Sequence, residues 1–90
     1  MKISVTANHI KNSYRRSSRF CPIARAIASH FPLHTVSAGM EYITLYDQNL
    51  WKSGIYKPLR KCSTPDIVKQ FISNFDNKLP VEPFEFDLTL

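Results

Sequence analysis

Residues 64–90, TPDIVKQFISNFDNKLPVEPFEFDLTL, contain the signals of a helix followed by a strand, and they decide the fold class. Apolar residues recur at helical spacing and form one wide face: Ile67, Val68, Phe71, Ile72 and Phe75. Thr64 is a favourable N-cap and Pro65 suits the first helical position, so we expect the helix to begin there. Asn77 is the expected left-handed C-cap, and Pro80 prevents the helix from continuing.

The end of the chain, FEFDLTL (84–90), alternates apolar with polar residues, which is the pattern of a half-buried strand. The N-terminal MKISVT (1–6) shows the same alternation. Between residues 33 and 60 we expect three further strands, one around Val36, one at MEYITLY (40–46) and one at LWKSGIYK (50–57). The segment DQN (47–49) is the expected hairpin turn between the last two strands.

A second helix is predicted to begin at Pro22, because proline is favoured at the first helical position, where its missing N–H is not needed. This places Cys21 at the N-cap, and Pro32 ends the helix. The apolar stripe of this helix consists of Ile23, Ile27 and Phe31. The order β-α-β-β-β-α-β predicts an α+β fold, a single two-layer domain spanning residues 1–90 with two helices on one face of a mainly antiparallel sheet.

Charge is distributed unevenly along the chain. Residues 1–62 carry ten basic and two acidic side chains, whereas residues 63–90 carry two basic and five acidic ones, within a total net charge of +5. We expect the basic part to attract an acidic partner, either an acidic protein surface or nucleic acid, although mixed charge also serves solubility. The chain shows no membrane span and no secretory signal, so we expect it to act in the cytosol with reduced cysteines.

Several segments resemble a family of small uncharacterised proteins of bacteriophages, mobile elements and some bacteria, cyanobacteria among them. The resemblance rests on MKISVTANHI, CPIARAI, VSAGMEYI and VKQFISNFDNKLPVEPFEFDL, and it spans nearly the whole chain. It implies a phage-type setting and no established activity. Arg25 departs from the family pattern, which has an apolar residue at this position, and so places a charge beside an already basic loop.

Catalytic and metal chemistry receive little support from the sequence. Cys21 could gain thiolate character at a helix N-terminus, yet no histidine spacing supplies it with a base, and we expect a structural cysteine. Cys21, Cys62, His30 and His34 could in principle hold zinc, but no paired metal-ligand spacing occurs. The two glycines are isolated, so no phosphate-binding loop is present. We therefore expect neither an enzyme nor a cofactor or metal.

Basic and aromatic residues are interleaved in two segments, and these form the candidate partner-binding surface. The first segment contributes Lys11, Tyr14, Arg15, Arg16, Arg19 and Arg25, and the second contributes Trp51, Lys57, Arg60 and Lys61. The two segments make one interface only if the fold brings them to one face; otherwise Trp51 belongs to the core.

The favoured function is that of a small non-enzymatic phage-type binding protein, which docks stoichiometrically on a host macromolecule in the bacterial cytosol. Host takeover or inhibition of a host defence fits this setting. The alternative is a DNA- or RNA-binding protein that uses the basic stretch 11–25.

Overall fold

The computed structural model describes all 90 residues, which form four helices and five strands. The helices are α1 (Ala7–Lys11), α2 (Pro22–Ala28), α3 (Gln48–Lys52) and α4 (Asp66–Asp76). The strands are β1 (Lys2–Val5), β2 (His34–Ala38), β3 (Tyr42–Asp47), β4 (Pro58–Ser63) and β5 (Phe84–Asp87). The predicted α+β class is confirmed, and the order of the strands and of the two longer helices is the expected one.

The five strands divide between two antiparallel sheets. The small sheet pairs β1 with β5, placing Ile3 opposite Phe86 and Val5 opposite Phe84. The large sheet has the order β2-β3-β4, with Val36 opposite Leu45 on its buried face. The two ends of the chain therefore form one sheet, and the middle of the chain forms the other. In both sheets the alternating apolar side chains face the core.

One hydrophobic core joins both sheets to the two longer helices. Ile23 and Ile27 of α2 are fully buried, and they share this core with the inner faces of the strands. On α4, Phe71 stacks on Phe84 of β5 with ring centroids 4.9 Å apart. Ile67 of α4 was expected to be part of the apolar face, but it is 54% exposed. The core therefore uses a narrower stripe of α4 than the sequence predicts.

The prediction of a strand at residues 50–57 is wrong, as is the hairpin turn at residues 47–49. The Asp47 carboxylate instead accepts a hydrogen bond from the Leu50 backbone N–H at 3.0 Å, which caps the short helix α3. The third strand of the large sheet begins only at Pro58. An aspartate before a short polar segment serves equally well in a turn and as a helix cap, and the local sequence does not distinguish them.

The capping residues predicted for α4 also differ from those in the structure. Thr64 is buried and donates its hydroxyl to the Gly39 carbonyl at 2.7 Å, so it anchors the start of α4 to the β2–β3 connection. Pro65 is the N-cap residue and provides no side-chain cap. At the other end, Asn77 has φ −93°, and the left-handed residue is Lys78, with φ +60°. The turn therefore falls one residue later than predicted.

Candidate functional site

The basic loop between α1 and α2 is held in place by three backbone contacts. Tyr14 donates its N–H to the Phe20 carbonyl at 2.9 Å, which closes the loop on itself. Ala38 of β2 donates to the Ser18 carbonyl at 2.8 Å, and Arg16 donates its N–H to the Asp76 carboxylate at 2.9 Å. The loop therefore lies along the outer edge of β2 and reaches the C-terminal end of α4, and its side chains start from defined positions.

Arg19 joins the two basic and aromatic segments that the sequence singled out. Its guanidinium carbon lies 5.1 Å from the ring centre of Phe20 and 4.8 Å from that of Trp51. Trp51 in turn contacts Tyr46 and Tyr56, with ring centroids 4.9 and 4.5 Å away. We call these five residues the Arg19–Trp51 cluster. Arg19 of the first segment and Trp51 of the second therefore meet in this cluster.

The flanks of the cluster are also aromatic and basic. Tyr14, 65% exposed, meets Phe20 edge to face, and the Arg25 guanidinium lies 5.7 Å from the centre of the Phe20 ring. On the outer face of the large sheet, the Lys61 ammonium lies 3.9 Å from the centre of the Tyr42 ring. Arg25 is therefore part of this surface.

The remaining candidate residues lie elsewhere. Arg15 places its guanidinium 5.3 Å from the ring centre of Phe75, on the α4 side of the loop. Lys11 ends α1 and Lys57 precedes β4, both exposed and outside the cluster. Arg60 lines a separate groove of about 270 Å³ together with Phe31 and the C-terminal residues 88–90. The ten predicted residues therefore do not form one patch, and Arg19 and Trp51 are the pair that the structure joins directly.

The positive charge of this surface is almost entirely unpaired. The structure contains one ion pair between side chains, Lys2 with Glu85 at 3.6 Å, and this pair belongs to the small sheet. Four cations instead lie over aromatic rings in five contacts, and three of these contacts involve Arg19 or Arg25. An aromatic face holds a cation in position without neutralising its charge. The guanidinium groups are therefore both positioned and free to meet an anionic partner.

The thiol of Cys21 serves the fold. Its Sγ accepts a hydrogen bond from the Ala24 N–H at 3.4 Å, which makes Cys21 the N-cap of α2 as predicted, and the residue is 4% exposed. Burial raises the pKa of the Cys21 thiol and outweighs the backbone hydrogen bonds, which lower it. The thiol therefore stays protonated at neutral pH, which is the opposite of an activated nucleophile.

The histidines and cysteines were the candidate zinc ligands. No three His, Cys, Asp or Glu side chains form a group that could hold a metal ion. His34 begins β2, where its ring meets that of Phe31 edge to face at 5.8 Å. Both cysteines are free thiols, Cys21 in the core and Cys62 half-buried in β4.

The sequence reasoning missed Tyr42 and Tyr46 as surface residues. Both lie on the outer face of β3, two positions to either side of Thr44, whereas Ile43 and Leu45 are completely buried. The alternation in MEYITLY carried this signal, because the positions between inward-facing apolar residues must point outward.

None of the four helices has the length and apolar content needed to span a bilayer. A comparison of this chain with protein-family models, with curated proteins and with solved structures finds no match in any of the three.

Proposed function

We propose that this chain is a small non-enzymatic binding protein that docks stoichiometrically on an acidic surface of a host protein. The observation that carries the proposal is the position of Arg19 between the rings of Phe20 and Trp51, with no carboxylate bonded to its guanidinium. Tryptophan, tyrosine and arginine are the residue types that contribute most binding energy at protein interfaces. The Arg19–Trp51 cluster would form the centre of the interface, and Arg25 and Lys61 would lie at its rim.

The arrangement of the rings favours a protein partner over a single-stranded nucleic acid. Unpaired bases stack on open aromatic faces, and they gain most where the faces are free. Here Arg19 lies over Trp51, Lys61 lies over Tyr42, and the contacts of Trp51 with its neighbours are tilted. The cluster therefore presents ring edges and cations more than open ring faces. Ring edges and cations suit the carboxylates and backbone carbonyls of a protein surface.

The setting follows from the resemblance to small phage and mobile-element proteins. A non-catalytic protein of this size would act by covering a functional surface of its target, so host takeover or inhibition of a host defence in the bacterial cytosol is the role we propose. Tight, stoichiometric association is what such a mechanism requires, because each copy blocks one target molecule.

Affinity capture from a lysate of the host bacterium, carried out with and without nuclease, tests the proposal. We expect one defined protein to be retained after nuclease treatment at a ratio near one to one. The Trp51→Ala and Arg19→Ala variants should weaken its retention at least tenfold. Lys69→Ala removes a positive charge on α4, a helix that contributes no residue to the cluster, so this matched control should leave retention unchanged.

Direct binding of DNA or RNA is the alternative, and Tyr14 and Tyr56 favour it, because these residues are 65% and 63% exposed. In that case the logarithm of affinity should fall with the logarithm of salt concentration by about 0.7 to 0.9 per phosphate contact. Replacing Arg15, Arg16 and Arg19 together by alanine should then flatten the slope by about two to three units. Retention that is lost after nuclease treatment and that shows this salt dependence would identify the partner as nucleic acid and not a protein.

A further inference from the structure

The two edges of the large sheet are not equivalent. The edge of β2 is covered, because Ala38 donates its N–H to the Ser18 carbonyl of the basic loop. The edge of β4 has no such neighbour, since no loop or cap hydrogen bond involves residues 58–63, and most of the strand is exposed. An open edge presents unpaired N–H and C=O groups that can pair with another chain.

The register shows which backbone groups of β4 are free. Thr64 donates its N–H to the Glu41 carbonyl, Cys62 lies opposite Ile43, and hydrogen-bonded pairs alternate along an antiparallel ladder. The backbone groups of Arg60 and Cys62 therefore bond to β3. Lys61 and Ser63 consequently direct their backbone N–H and C=O groups towards the open edge.

The N-terminal end of β4 is closed to pairing. Pro58 lies opposite Tyr46, Arg60 lies opposite Leu45, and Leu59 between them is an extra residue without a partner, which forms a bulge. Proline, a bulge and basic side chains are the devices that prevent an edge from joining another copy of the same edge. The segment that remains open for pairing is short, from Arg60 to Ser63.

The strand β4 and the segment that precedes it carry charge of one sign. Residues 48–65 contain four basic side chains and no acid, and none of the four forms an ion pair. Arg60 and Lys61 lie on opposite faces of β4, since their partners are Leu45 on the buried face and Thr44 on the outer face. Beside Arg60 is the groove of about 270 Å³, which the apolar Phe31 and Leu88 help to line.

We infer that the edge of β4 binds an extended acidic segment of the partner as an added strand. The strand would bond to the outward backbone groups of Lys61 and Ser63. Its acidic side chains would meet Lys61 on one face, and its alternating apolar side chains would enter the groove beside Arg60 on the other. This inference rests on the proposed docking function and deepens it by naming the part of the partner that is bound.

The probe is a fluorescein-labelled eight-residue peptide of alternating glutamate and valine. Amide hydrogen exchange of the full chain, measured by NMR with and without saturating peptide, should slow at least tenfold at Lys61 and Ser63. The amide of Cys62 already bonds to β3, so its exchange rate should change less, and it serves as the internal reference. Fluorescence anisotropy gives the affinity, which should fall with added salt and be lost when lysine replaces glutamate in the peptide.

Ser63→Pro removes one outward N–H without changing the charge, and proline is tolerated on the free side of an edge strand. We expect it to weaken peptide binding about tenfold, whereas Ser63→Ala, which keeps the N–H, should bind as the parent does. If Ser63→Pro does not fold, the exchange measurement on the parent chain decides the matter alone.

Slowed exchange confined to residues outside β4, equal binding of the lysine peptide, or concentration-dependent self-association in place of peptide binding would each overturn the inference. The proposed function fails separately. If host-protein capture is absent but the peptide protects Lys61 and Ser63, the proposed docking on a host protein is refuted and the edge site is supported. If capture depends on Trp51 but the peptide does not bind, the edge site is refuted.

Discussion

The guanidinium carbon of Arg19 lies 4.8 Å from the centre of the Trp51 ring, so a loop that precedes α2 is joined to the helix that follows β3. Nothing in the local sequence of either segment requires this contact. It exists because the basic loop lies along the edge of β2, and α3 begins where β3 ends beside it. The contact places a cation of the first basic segment on an aromatic ring of the second.

The Arg19–Trp51 contact should contribute measurably to stability. At a site this exposed we expect a coupling of about 0.5–1 kcal/mol in a double-mutant cycle of Arg19→Ala and Trp51→Ala. Because Trp51 is the single tryptophan of the chain, urea unfolding should be followed by circular dichroism. Arg19→Lys keeps the charge and serves as the control. A coupling near zero would mean that the cation and the ring do not stay together in solution.

Phe71 is the residue of α4 whose loss should cost the most. Phe71→Ala removes a ring that is 7% exposed and that stacks on both Phe75 and Phe84, so we expect a loss of about 3–5 kcal/mol in the free energy of unfolding. Ile67→Ala on the exposed side of the same helix is the matched control and should cost under about 1 kcal/mol. Similar melting temperatures for the two variants would mean that α4 is peripheral to the core.

The hydroxyl of Thr64 should stabilise the junction between β4 and α4. Thr64→Val preserves the shape but leaves the Gly39 carbonyl without its side-chain donor, and we expect it to cost about 1–3 kcal/mol in denaturant unfolding. Thr64→Ser, which keeps the hydroxyl, should recover most of that loss. If the Thr64→Val variant is as stable as the parent, the hydrogen bond makes no net contribution to stability, and the side chain contributes through its burial alone.

Cys21 should tolerate serine better than alanine. Serine keeps a side-chain acceptor for the Ala24 N–H, whereas alanine leaves that N–H unpaired, so Cys21→Ala should be less stable than Cys21→Ser by about 0.5–2 kcal/mol. Thermal unfolding of the two variants measures the difference. In the native parent, Cys21 should also react with iodoacetamide far more slowly than after unfolding. Rapid stoichiometric alkylation of the native chain at Cys21 would refute the structural role.

The chain should lose stability at alkaline pH. Burial raises the pKa of both Cys21 and Cys62 in the folded state, so the protonated thiols favour folding fully below the ordinary thiol pKa of about 8.5. That contribution is lost as pH rises from there through the folded-state values. Urea unfolding at pH 7 and at pH 9.5 measures it, and Cys21→Ser should show a smaller decrease than the parent. An equal decrease in both would assign the effect to other groups.

The sequence by itself determined the elements with strong periodicity. The apolar face of α4, the Cys-Pro start of α2 and the alternation in β1, β3 and β5 are local signals, because side-chain spacing of 3.6 or 2 residues follows directly from backbone geometry. The same alternation also carried the outward positions of Tyr42 and Tyr46, although they were not predicted as surface residues. The charge imbalance and the role of Cys21 as a cap were also readable without a fold.

Only the tertiary structure decided how these elements are joined. Whether Asp47 made a turn or capped a helix depended on where β4 would pair, and the partition into two sheets depended on the pairing of the chain ends. The meeting of Arg19 with Trp51, the separation of Arg15 from them and the open edge of β4 are long-range relationships. They arise because burying one core fixes the positions of all elements together, and no local pattern records that placement.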